Sequence, residues 1–458
     1  MHGGATALEE GINVIAKTTS DREKIKALPW NLVHGVLTNI FYLWTFGGSV
    51  FLLFLSELGL PKGQIGILLS LFPFSGLVAL GFAPVAARLG WKRVFVTCYS
   101  VRYFVMVSLL LLPWILAQAG YTAGVVFLFS VITLFAILRA LGETAYYPWS
   151  QEFIPNRVRG KFTAIYTVLG TLASSVALIT AGVVIGAGEG LGRFLLLLAA
   201  GCFLGLIGII VMWKIPGGEP IAQAEASSAH LANMTEALRD RNFVAYLGGL
   251  GGVTIGGIFL TSFLPLYIKD QIGLASGAVV TLDTAMMIGG GVSSLLWGWA
   301  ADRVGSRPVL MPAITMTLLV PLGWLLLPRQ APHAMAWCAV LNFVYGMATS
   351  GIGIGAGRLL FNAVISPAKS TAYTAIFYAW MGITGGMAPL LAGIILSVCA
   401  GWNTRIGVFV VDGYTLLFIL ALVLLSFGWW QYSRVKPDDI YTTRAVLRRF
   451  AAKLQPPR

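Results

Sequence analysis

The chain has 458 residues, 57% of them hydrophobic and 11% charged, whereas an average soluble domain is about one quarter charged. A water-soluble surface cannot be made from that composition. The net charge of +13 would point to nucleic acid in a soluble protein, but basic residues also gather on the cytoplasmic side of membrane proteins, so their distribution has to be read first.

Twelve apolar runs, each long enough to cross a hydrocarbon layer of about 30 Å, lie at 29–57, 63–87, 94–117, 123–149, 162–187, 193–213, 243–268, 276–301, 309–328, 334–356, 371–399 and 406–432. They are numbered spans 1 to 12 below. Residues 1–28 carry acids ahead of span 1 and lack a basic stretch leading into a short apolar core, so no signal peptide is expected to be removed. Lys and Arg number 23 in the terminal segments and the connections after spans 2, 4, 6, 8 and 10, against 5 in the connections after the odd-numbered spans, with Arg193 at the edge of span 6 counted among the latter; Arg102, Arg139 and Arg358, the last counted with span 10, complete the set. This bias predicts cytoplasmic termini and accounts for the basic charge without nucleic acid.

The one long polar connection, 214–242, divides the chain into six-span units at 29–213 and 243–432, and a basic tail follows at 433–458. Leu447, Phe450 and Leu454 share a helical face of that tail, ringed by bases. This suits either a helix on the anionic inner leaflet or a plain solvated tail. The two units resemble each other. Residues 86–93 after span 2 match 301–308 after span 8 at an offset of 215, and Phe162–Tyr166 matches Tyr373–Phe377 at an offset of 211. Similar units related by an axis along the membrane normal place a site between them.

After span 8 the run Gly298-Trp299-Ala300-Ala301-Asp302-Arg303-Val304-Gly305-Ser306-Arg307 sets an acid, two bases and a turn glycine at a junction of two helices. Arg88, Gly90 and Arg93 form the corresponding set after span 2, where Ala87 stands in place of the acid. After span 4, Glu152 precedes Pro155, Arg159 and Gly160. Together with twelve spans and the repeat, this resembles the signature loops of the major facilitator superfamily, over about residues 29–432. The resemblance implies an all-α membrane protein of two pseudo-symmetric six-helix bundles, monomeric, in the plasma (bacterial inner) membrane. It also implies a gate at Gly298, Asp302, Arg303, Gly305, Arg307, Arg88, Gly90, Arg93, Glu152 and Arg159, made of contacts that break as one half rocks. The plain alternative is that these residues serve topology and folding. Span 5 lacks the glycine-proline pattern of drug and proton antiporters.

Charges inside spans cost about 2.5–3.5 kcal/mol each on insertion scales and need a use or a partner. Arg139 and Glu143 stand one turn apart on span 4, and Arg358 is offset by 215 from Glu143. This trio is read as a substrate and proton-coupling site, with a packing ion pair as the alternative. Asp283, in the outer third of span 8, is a second protonation candidate or a polar interface residue. Arg102 is expected to snorkel, His34 to lie at the interface, and tyrosines such as Tyr42, Tyr147 and Tyr378 to line a cavity or to pack. Four scattered histidines, and four cysteines within apolar runs without metal spacing, suggest no metal and no disulfide framework. No nucleophile or cofactor motif indicates an enzyme.

The function expected is secondary transport of a small solute by alternating access, coupled to protons. An uncoupled facilitator or exporter, including one for drug efflux, and a non-transporting sensor or lipid-handling protein remain alternatives.

Overall fold

The computed structural model describes residues 20–220, 235–329, 333–365, 370–406 and 409–438. The apolar face of the tail, most of residues 1–28 and the middle of the 214–242 connection lie outside them.

Backbone amides and carbonyls have no partner in lipid, so an apolar chain that crosses it closes its hydrogen bonds within helices. Ten described helical segments are long and apolar enough to cross; the bent pair Lys62–Val78 and Gly81–Leu89 makes an eleventh. The 63-residue segment Trp91–Phe153 turns back at Gly120, whose φ of 84° interrupts the helix, and so supplies two spans. That makes twelve. Polar caps mark several starts: Ser20 and Glu23 form a capping box at span 1, Asp240 accepts from Asn242 N and Phe243 N at span 7, and Asp412 and Thr415 box the start of span 12. One expected boundary is corrected. Residues Asn403–Ile406 and Phe409–Asp412 pair as an antiparallel hairpin, and span 12 runs Gly413–Arg434. The β-branched run there is apolar enough to read as helix, but Asp412 fixes the helix start.

Packing obeys the repeat. In the first half span 1 packs on spans 5 and 6, span 4 on spans 2 and 3, and span 3 on span 6. In the second, span 7 packs on 11 and 12, span 10 on 8 and 9, and span 9 on 12. Adding six to each number in the first set gives the second. The halves meet through spans 2 and 11 and spans 5 and 8, two contacts that the same symmetry exchanges. Gly90 and Gly305 turn the chain into spans 3 and 9 with the same φ of 93°, a conformation closed to most residues bearing a Cβ.

Both halves also break the first of their spans. Span 1 is Asp21–Thr45 followed by Gly48–Glu57, with Phe46 between at φ −128°, ψ 5°. Span 7 is Arg241–Thr261 followed by Leu264–Tyr267, with Phe263 at φ −118°, ψ 8°.

The interface between halves is tight at one end and open at the other. At the end away from the termini, backbones touch: a Cβ on Gly393 of span 11 would stand 2.7 Å from Lys62 O and 2.9 Å from Gly66 Cα of span 2, and one on Gly277 of span 8 would stand 2.8 Å from Gly186 Cα of span 5. At the end bearing the termini, a Cβ on Gly81, Gly160 or Gly298 would meet nothing within 4 Å. Tyr147 of span 4 and Tyr378 of span 11 are exposed there.

Candidate functional site

Below the closed end lies a chamber of about 410 Å³ lined by both halves. Gly48 and Ser49 from the break in span 1 border it, as do Thr261, Ser262 and Leu264 from the break in span 7; Asn342 and Tyr345 come from span 10 and Pro73 and Pro389 from the contacting spans 2 and 11. Interrupted helices at matching positions of two repeats are where transporters build binding sites. The sequence carries the signal as Phe46-Gly47-Gly48-Ser49 in span 1 and Phe263-Leu264-Pro265 in span 7, a signal that reading for uninterrupted spans passes over.

Among the described residues Asp283 is the one acid or base in that lining. Its Oδ2 accepts from Ser49 N at 3.1 Å, an amide in the first turn of the half-helix Gly48–Glu57 and so without a partner inside that helix. The bond joins span 8 to span 1 across the halves. Gly48, at φ 56°, allows the approach, since a Cβ there would stand 3.0 Å from Oδ2. Asp283 is thus engaged between helices, not at an interface with lipid headgroups.

Arg139 and Glu143 form the ion pair expected of them, Nη1 to Oε1 at 2.8 Å, and Arg139 Nη2 also donates to Phe72 O at 3.1 Å. Their side chains retain 23% and 38% exposure. Tyr42 lies within electrostatic reach of both Arg139 and Asp283, so a positive and a negative group flank one tyrosine at the chamber. Arg358 does not join them. Its Nη1 donates to Asp302 Oδ1 at 2.7 Å, because span 10 delivers residue 358 to the open end, beside the junction of spans 8 and 9.

Two further expectations are corrected. Arg102 does not snorkel: it is 2% exposed, stacks on Tyr99 at 3.3 Å and donates to Tyr103 Oη at 3.1 Å, with Phe41 and Phe135 nearby. An aromatic cage replaces water for the guanidinium. His34 is buried rather than interfacial, with Nδ1 3.0 Å from Gly208 O.

The gate residues keep mostly within their own halves. Arg307 donates to Ser433 O, Arg303 lies over Trp299 at 4.6 Å, and Asp438 accepts from Ser306 N at 3.0 Å. In the first half Glu152 Oε2 accepts from Gly218 N at 2.9 Å, Arg159 donates to Gln151 O and Ile154 O, and Lys92 Nζ donates to Trp213 O and Ile215 O. In each half, the segment after the last span therefore tucks under the start of the third.

The sequence from 255 to 445 matches the family model of the Major Facilitator Superfamily. Over 401 residues the chain is 25% identical to the ectoine/proline transporter ProP of Corynebacterium glutamicum, covering 80% of this chain and 74% of that one. By this match over its second half, by the relative and by its fold, the chain is similar to members of the major facilitator superfamily. Its fold is shared with a D-xylose-proton symporter (TM-score 0.66, 13% identity, covering 91% of this chain and 97% of that one). It is also shared with a bacterial homolog of the human lysosomal transporter Spinster in an inward-facing, unoccupied conformation (TM-score 0.64, 15% identity, 94% and 99%). The apolar helices and this likeness support an integral membrane protein and a transporter.

Proposed function

We propose that the protein is a secondary active transporter that moves a small solute by alternating access, as a monomer in the plasma membrane, and that proton movement through Glu143 drives it. The observation that carries the reading is the chamber between the halves, sealed at one end by touching glycine backbones and bordered at the other by parted helices. The 23-to-5 distribution of bases supports placing the open end, which bears the termini, in the cytoplasm; the protein is then inward-facing.

Coupling rests on the Arg139–Glu143 pair. A carboxylate beside a guanidinium has two settings: ionised and paired, or protonated with the arginine freed for an anionic group of the solute. Solute that takes Arg139 removes the counter-charge of Glu143, and in this scheme a proton takes its place. By linkage, each ligand then changes the affinity for the other by the same factor. The D-xylose-proton symporter of the same fold is a coupled transporter by its name, which is consistent with this reading. In proteoliposomes with an imposed pH gradient, Glu143→Gln should lose accumulation against the solute gradient while downhill exchange persists. Uphill accumulation at the wild-type level by Glu143→Gln would move the coupling group elsewhere.

A further inference from the structure

Several polar groups of the chamber already donate a hydrogen to a helix carbonyl. Thr261 Oγ1 donates to Gly257 O at 2.9 Å, Ser262 Oγ donates to Ile258 O at 2.6 Å and Asn342 Nδ2 donates to Cys338 O at 2.9 Å. Tyr345 Oη lies 3.5 Å from Gly257 O in the same sense. Each of these polar groups lines the chamber, yet each spends a hydrogen on a helix carbonyl and is left with oxygen lone pairs. In their midst is the carboxylate of Asp283. One of its oxygens is held by Ser49 N. No lysine, arginine or histidine lines the chamber to neutralise it, and the amides of a helix start compensate only part of a full charge. A carboxylate within a membrane span, surrounded by acceptors, calls for a ligand that brings positive charge and several N–H donors.

We infer that the chamber binds the protonated primary or secondary amino group of the transported solute, with Asp283 as its anchor and the oxygens of Thr261, Ser262 and Asn342 as its remaining partners. A quaternary ammonium, which has charge but no N–H, satisfies Asp283 and leaves those oxygens idle; an acylated nitrogen has too little of either. The inference rests on the transporter reading and deepens it. With Arg139 receiving an anionic group, as proposed above, the solute is a zwitterion of amino-acid type. The site also touches the closed end, because the carboxylate that takes the amine is the one bonded across the halves to Ser49.

The test is equilibrium binding to the full-length purified protein in nanodiscs, read as thermal stabilisation, since a ligand that binds only the folded form raises its melting temperature. The probes are a set of small α- and β-amino acids, each with its N-acetyl and its N-trimethyl derivative. At least one parent amino acid should stabilise the protein, with both derivatives weaker by about tenfold or more, the scale of a lost charged hydrogen bond. Asp283→Asn should weaken the parent by a similar factor, and Asp283→Glu should retain part of the affinity. The derivative series decides the matter on the wild-type protein alone, so a poorly folding variant does not block it. Stabilisation by no parent, equal binding of parent and N-acetyl derivative, or undiminished binding by a folded Asp283→Asn overturns the inference. So does full stabilisation by acidification without amine, which assigns Asp283 to a proton only. Binding requires no gradient, so Glu143→Gln separates the two readings: a failed coupling scheme leaves amine binding intact, and a failed amine site leaves coupling to be measured.

Discussion

Replacing Gly393 by Ala should tip the protein toward its outward-open state. The added Cβ would stand 2.7 Å from Lys62 O and 2.9 Å from Gly66 Cα, whereas ordinary contact begins near 3.4 Å. Both obstacles are backbone atoms of a membrane helix, so they cannot rotate away as a side chain does. Spans 2 and 11 must part by roughly the missing half ångström, at an overpacking cost of about 1–3 kcal/mol. That cost falls only on the state in which the two glycines touch. The ratio of closed to open outer ends should therefore drop by about 5- to 150-fold. The assay is a cysteine at Leu178, which lines the chamber and is fully buried, in a background with Cys98, Cys202, Cys338 and Cys399 replaced by alanine. A membrane-impermeant thiol reagent outside the vesicle reaches position 178 only when the outer end opens, and Gly393→Ala should speed that labelling. Gly353→Ala, where the Cβ meets nothing within 4 Å, is the control. Labelling by Gly393→Ala at the control rate, or slower, refutes the assignment of this contact as the outer seal.

Two further outcomes follow from the open end. Asp302→Asn and Arg358→Gln should each lower uptake several-fold with expression preserved, and the double variant should be no worse than the worse single one, because the two side chains form one contact at 2.7 Å; additive losses would separate them. A cysteine at Arg434, at the end of span 12, should be labelled only from the cytoplasmic side, and labelling from outside would invert the topology.

The sequence is legible in this protein wherever the solvent dictates the pattern. Lipid forces apolar length, so the existence and order of the twelve spans could be read, but not the breaks in spans 1 and 7 or the bend in span 2. The twelfth was placed too early because Val410 and Val411 are as acceptable to a hairpin strand as to a membrane helix. The Arg139–Glu143 pair was also legible, since an i, i+4 spacing on one helix fixes proximity without any knowledge of packing. Arg358 was not. Its offset of 215 from Glu143 gives an equivalent position in the other half, but symmetry-equivalent residues of two bundles need not meet, and the partner it finds is Asp302, 56 positions away. Arg102 and His34 were misread for a related reason. Their burial depends on which faces of spans 1, 3, 4 and 6 come together, and periodicity is weak in helices that are apolar all round. Asp283 was recognised as unusual by its charge, while its bond to Ser49 depends on a break in another helix 234 positions away.

The distribution of satisfied charges bears on how such a molecule can alternate at all. Two states exchange readily only if they lie within a few kcal/mol of each other, and a motif whose charges found partners only in the closed state would make the open one prohibitively costly. On the proposed reading the end that bears the termini is the parted one, and its charged groups are already satisfied: Asp302 by Arg358, Arg307 by Ser433 O, the Ser306 amide by Asp438, Glu152 by Gly218 N. Closing that end exchanges these contacts for others without exposing a lone charge. The outer end is built differently. Its seal is backbone against backbone, together with the carboxylate of Asp283 on a helix start, the Glu57–Lys269 ion pair at 3.9 Å and Lys62 over the Tyr414 ring. Opening it removes close packing that lipid and water can partly replace, parts the Glu57–Lys269 pair, and releases Asp283 into a chamber where a cation can take up its charge.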